Sequence, residues 1–212
     1  MKVEKPLLRG HFHQAMFFIS LGACLLLIFQ SNNKLEYIST IIYTLGVLTM
    51  FGVSTLYHRI TWNPEARYLM KRLDHAGIYI MIAGTFTPIC LLALSDSSGR
   101  NLLIAIWSVA IAGIVQSIFF VNLPKMVSAL IYLAAGYMIT PYASELIPSI
   151  GMNNLVLLIC GGLAYSVGAI CYGLKRPTLW PKVFGYHEVF HIMVNIGAML
   201  HFIVIYSVLG AQ

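Results

Sequence analysis

Residues 102–120 read L102-L-I-A-I-W-S-V-A-I-A-G-I-V-Q-S-I-F-F120, without one charged side chain. As a helix rising 1.5 Å per residue the run is about 28 Å long, close to the thickness of a bilayer's hydrocarbon core. The reading of this stretch sets the reading of the chain, because comparable runs recur at about 12–30, 37–58, 73–94, 126–146, 154–174 and 184–208. With residues 102–120 they make seven. Backbone polar groups in lipid must be satisfied within their own segment, so the runs are expected to be helices. The connections between them are short, which predicts one compact all-α bundle over residues 1–212, with seven transmembrane helices. Pro88 and Pro141 fall within the runs and are expected to kink them.

The composition agrees. Of 212 residues, 59% are hydrophobic and 9% charged, against about 25% charged in a soluble domain, and the mean hydropathy is +0.82. No linker, low-complexity tract or repeat is visible. The first eleven residues are too polar, and the run after them too long, for a cleaved secretory signal. Cys24, Cys90, Cys160 and Cys171 all lie in apolar runs and form no C-x-x-C pair, so they are read as small packed hydrophobes.

Charge then sets orientation. Connections alternate between the two faces of the membrane. One face receives Lys2, Lys5, Arg9, Arg59, Arg67, Lys71, Arg72, Lys125, Lys175, Arg176 and Lys182; the other receives only Lys34 and Arg100. The positive-inside rule puts the N-terminus in the cytoplasm and the C-terminus outside. Rhodopsin-like receptors have the reverse orientation, so the charge pattern argues against that class. The net charge of +6 reports topology, so no nucleic-acid partner is expected; the expected partner is a membrane lipid, as substrate or ligand, and the sequence names no protein partner. The localisation expected is the plasma membrane, multi-pass.

Ionisable groups in spans are costly and default to functional candidates. They are few: His58, Asp74, His75, His187, Glu188, His191 and His201, with His11 and His13 at the start of the first run. His58 ends the second run, Asp74 and His75 open the third, and His187 and His191 open the seventh. Three helices distant in sequence thus bring histidines and an aspartate to one membrane level, at the inner face. His187 and His191 are four apart and share a helix face, as do Ser54 and His58. His201 returns near the His187 face about 15 Å deeper than His191, too far for a common metal but able to line a cavity above it.

H187-E-V-F-H191 alone matches the H-E-x-x-H of zinc peptidases. That reading needs a downstream third ligand, and only the distant His201 follows; the third imidazole on offer is His58, upstream. Three neutral imidazoles suit Zn²⁺ with a water in the fourth position, where the water's pKa falls towards about 7. Asp74 is placed as the carboxylate that accepts or orients the water's proton, and Ser54 as a supporting group. His13, His75 and His201 are read as packing residues. Whether Glu188 faces the metal stays open.

The set S54-T-L-Y-H58, D74 within R72-L-D-H-A-G-I-Y79, and H187-E-V-F-H191 resembles the hemolysin III family, the bacterial branch of the progestin and adipoQ receptor superfamily that includes the adiponectin receptors. The resemblance runs from K5-P-L-L-R-G10 to the last span. It implies a seven-helix bundle with a cytoplasmic N-terminus and Zn²⁺ held by His58, His187 and His191 near that face, with Asp74 matching the family's aspartate beside the zinc-bound water. In the adiponectin receptors the resemblance implies hydrolysis of the ceramide amide bond; for the bacterial members it implies membrane lipid and fluidity balance and, by name, cytolysis. One feature departs. Many members carry E-x-x-N-x-x-x-H near the N-terminus, whereas this chain has R9-G-H-F-H13 with no Asn and only Glu4 upstream.

Three functions follow as expectations. One is a zinc-dependent hydrolase acting on a membrane lipid amide. Another is a non-catalytic membrane sensor or receptor-like protein in which zinc clamps the second span to the seventh. The last is a pore-forming cytolysin, for which no amphipathic strand pairs or charge-lined helices speak.

Overall fold

A computed structural model of the chain describes residues 6–210; Lys2, Glu4 and Lys5 lie outside the described residues. The described chain is helical, with no β-strand and one isolated antiparallel bridge, Trp180 to Phe184. The helices are α1 (His11–Gln30), α2 (Lys34–Arg59), α3 (Pro64–Leu92), α4 (Asp96–Phe119), α5 (Lys125–Gly136), α6 (Ala143–Leu174) and α7 (Tyr186–Gly210), with a 3₁₀ turn, Tyr137–Tyr142, joining α5 to α6.

Polar caps set several of the starts. The Asn33 side chain accepts the Leu35 and Glu36 N–H groups at the head of α2. Glu36 reaches back to accept the Asn32 N–H at 2.7 Å, so a buried carboxylate is satisfied within its own helix end. Asn63 accepts the Ala66 N–H at 2.8 Å with Pro64 in the first turn. For that reason α3 begins well before residue 73, the start expected from apolarity, and its opening turns carry Glu65, Arg67, Lys71 and Arg72. Pro141 lies in the 3₁₀ turn. Pro88 lies inside α3, which continues to Leu92.

Six helical stretches are long and apolar enough to cross a membrane. One of them, Lys125–Leu174, has 50 residues and would extend about 75 Å if straight. It is not straight. Gly151, at φ 76° and ψ 160°, interrupts it. The Tyr137 hydroxyl bonds Ser166 Oγ at 2.7 Å and Met126 lies against Gly173. Both contacts pair residues almost equidistant from Gly151, so the chain folds back on itself there.

Apolar side chains such as Phe29, Leu26, Ile104 and Ile203 are exposed on the outside of the bundle, as a lipid-facing surface requires. Inside, α2 packs on α3, α3 on α4, α5 on α6, α6 on α7, and α1 bridges α2 and α7. Small residues close the α2–α3 seam: a Cβ on Gly46 would lie 3.0 Å from the Ile80 carbonyl oxygen, and one on Gly84 would lie 3.2 Å from that of Ile42. Without water to drive helices together, such close backbone approach is a main source of association in lipid. The helices surround a cavity of about 300 Å³, walled by α2, α3, α5, α6 and α7, with His13 from α1.

Candidate metal centre

The last turn of α2 carries His58 and the first turns of α7 carry His187 and His191. One nitrogen from each of the three lies within 4.8 Å of the other two, and the Nε2 atoms of His58 and His187 are 3.2 Å apart. All three residues are buried. Two buried ring nitrogens so close require either a shared proton or a shared cation. Ligands at 2.0–2.1 Å on a tetrahedral ion are about 3.4 Å apart, so the cluster has the spacing to hold a metal ion. An all-imidazole set suits zinc, copper, iron or nickel and not a hard cation such as magnesium.

The surrounding groups divide by role. Asp74 Oδ2 lies 3.8 Å from His58 Nε2, and both Asp74 and Ser54 line the cavity. Ser54, one turn before His58, has its Oγ 3.0 Å from Nδ1 of His13 and within hydrogen-bonding reach of the Asp74 carboxylate. Glu188, the carboxylate inside H-E-x-x-H, turns away from the cluster. It is fully buried, ion-paired with Arg9, and accepts the Gly185 N–H at 2.8 Å ahead of α7. It therefore ties the N-terminal segment to the head of the helix that carries two of the three histidines.

Arg9 and His13 are contributions that sequence reasoning did not find. The segment reaches the site because Gly10, at φ 84° and with the position of its missing Cβ only 2.8 Å from His58 Cβ, turns tightly over α2. Leu7 N–H bonds the Lys182 carbonyl at 2.9 Å, and Asn195 Nδ2 donates to the Phe12 carbonyl at 3.0 Å. The available signal was R9-G-H-F-H13 itself, whose basic and imidazole groups fall at the same end of the bundle as H-E-V-F-H. His75 lines the cavity wall. His201 lines it farther along, with Nε2 against the Leu158 carbonyl at 3.1 Å.

The model of the haemolysin-III related family matches residues 1–202. The chain belongs to that family. The haemolysin III match is supported by Hemolysin-3 of Bacillus cereus, 35% identical over 195 residues that cover 90% of this chain and 86% of that protein. Hemolysin-3 homolog of Bacillus subtilis (strain 168) is 34% identical, covering 84% and 81%. The chain is also similar to an adiponectin receptor protein of Drosophila melanogaster, 27% identical over 206 residues that cover 89% of this chain but 45% of the receptor. Family and apolar helices together make it a multi-pass membrane protein.

Proposed function

We propose that this protein is a zinc-dependent hydrolase of a membrane lipid amide, crossing the membrane seven times with its N-terminus in the cytoplasm. The observation that carries the reading is the junction of two environments in one cavity. Its polar end is made by His13, Ser54, Asp74, His187 and His191, while farther walls are apolar, with Met81, Phe86, Leu155 and Leu158. Such a cavity accepts an amphiphile head first, with its acyl chain in the apolar part.

His58, His187 and His191 would hold the zinc. The ion would supply Lewis acidity at a carbonyl and make water a competent nucleophile near neutral pH. Asp74 is the carboxylate placed to hold the proton that an attacking water gives up, on Oδ2. Ser54 presents its hydroxyl to the same space and orients what enters. Arg9 neutralises Glu188, so no second carboxylate competes at the site. The bundle walls limit the access of bulk water.

The seven-crossing topology draws support from the fold-back at Gly151, since each arm of Lys125–Leu174 is long enough for one crossing. The orientation draws support from contacts that gather Arg9, Arg67 and Lys125 around Glu188, Tyr57 and Tyr186 at the end of the histidine cluster.

Purified protein is expected to retain about one zinc per chain and to release fatty acid from an amide lipid. His187→Ala is expected to lose both. Product formation at the wild-type rate by His187→Ala would sink the hydrolase. Zinc retention without turnover on any amide lipid would favour the sensor, the reading that the Drosophila relative's name as a receptor suggests.

A further inference from the structure

A ligating imidazole is ordinarily held in its plane by a hydrogen bond from its second ring nitrogen to a carboxylate, a carbonyl or water. His191 departs from this. Its ring is 1% exposed, and Nδ1 is buried without a hydrogen-bond partner among the described residues. What touches the ring instead is His13, stacked on it face to face with centroids 3.7 Å apart and planes 10° from parallel.

His13 is itself held. Its Nδ1 meets Ser54 Oγ at 3.0 Å, and the Phe51 ring stands edge-on at 5.1 Å. The backbone carbonyl of the preceding residue, Phe12, is fixed to α7 through Asn195. An imidazole is a poor choice for mere filling at this position. The imidazole also lies within hydrogen-bonding reach of the His191 backbone, a tie to α7 that an apolar ring of similar size could not make.

We infer that His13 is a positioning residue for the metal centre: a flat plate, fixed by Ser54, that sets the rotation of the His191 ring so that its nitrogen faces those of His58 and His187. The inference rests on the metal-site reading above and adds to it a role for α1. It also gives Ser54 a task besides any contact with substrate, because the hydroxyl one turn before a ligand on α2 holds the plate that orients a ligand on α7.

The test uses full-length protein in detergent, stripped of metal and titrated with Zn²⁺ against a chromophoric chelator, and with Co²⁺ for its visible ligand-field spectrum. His13→Leu removes stacking and hydrogen bond together, and is expected to weaken zinc binding about 10- to 100-fold and to alter the Co²⁺ spectrum. His13→Phe restores a flat ring without the Ser54 bond and is expected to recover part of the affinity and to move the Co²⁺ spectrum back towards that of the wild type. Thermal unfolding of the metal-free variants separates this from a folding defect, because a plate acting through His191 leaves the metal-free transition largely in place.

If His13→Leu binds zinc as tightly as wild type with an unchanged Co²⁺ spectrum, the plate is overturned while the metal centre stands. So too if His13→Phe is no better than His13→Leu. If wild-type protein takes up no stoichiometric metal, or His58→Ala takes up as much, the metal centre is overturned and the plate with it.

Discussion

Among the described residues, removing the Arg9 guanidinium leaves the fully buried Glu188 carboxylate with the Gly185 N–H alone to offset its lost hydration. Breaking a buried pair from one side costs about 3 kcal/mol or more, so Arg9→Ala is expected to lower the unfolding midpoint clearly. Glu188→Gln, which removes the charge instead, costs less. In the double variant Arg9→Ala/Glu188→Gln the penalties are expected not to add, since each variant removes the same interaction. Thermal unfolding of the four proteins closes the cycle, and additive losses would show that the pair is not coupled. A second readout bears on the motif: Glu188→Gln is expected to keep its zinc, because the carboxylate points to Arg9 and not to the histidines. The positions of His58, His187 and His191 on their helices were legible in the sequence because imidazoles at one depth in apolar runs are a rare pattern. The direction of Glu188 was not, because it depends on a partner 179 residues away, carried in by a tight turn at Gly10.

Among the elements, the α2–α3 seam sets how far His58 stands from Asp74, since one residue ends α2 and the other lies within α3. Gly46→Val drives side-chain carbon towards the Ile80 carbonyl, which is backbone and cannot rotate aside. Overpacking of this kind costs about 1–3 kcal/mol. The separated helices are expected to lose metal affinity as well as stability, measurable by the same zinc titration and thermal scan. At Gly22 on α1 an added Cβ meets nothing within 4 Å, so Gly22→Val is the matched control, expected to leave metal affinity unchanged; wild-type behaviour from Gly46→Val would show that the seam can yield. Hydropathy located the middle of each helix because lipid demands apolar residues there. It misplaced the start of α3 because a helix outside lipid is set by its cap, Asn63 and Pro64, and not by apolarity. Nor does it register the 3₁₀ turn at Tyr137–Tyr142, which changes hydrogen bonding without changing hydropathy.

At the scale of the whole molecule, the bundle, the order of its polar residues and a place for His201 on a cavity wall were readable from one chain, while the extent of the cavity was not. The cavity is the space left between helices whose pairings span the full sequence. The crossing count lies between these cases, since it turns on whether Lys125–Leu174 passes the membrane once or twice. A single pass would leave about 75 Å of helix for a core about 30 Å thick, and would separate Asn122 from Thr178 across the bilayer. Two passes, turning at Gly151, return Thr178 to the side of Asn122 and put Ser149 on the other. In a chain with its four native cysteines replaced by alanine, Asn122→Cys, Ser149→Cys and Thr178→Cys can each be exposed in intact cells to a membrane-impermeant thiol reagent. With a cytoplasmic N-terminus and seven crossings, only Ser149→Cys is expected to react before lysis, and all three after it. Reaction of Thr178→Cys in intact cells, with Asn122→Cys protected, would reduce the count to six and move the start of α7, with His187 and His191, to the face opposite His58. The 3.2 Å approach of the His58 and His187 nitrogens would then have no place in the membrane, so the labelling result and the metal centre stand or fall together.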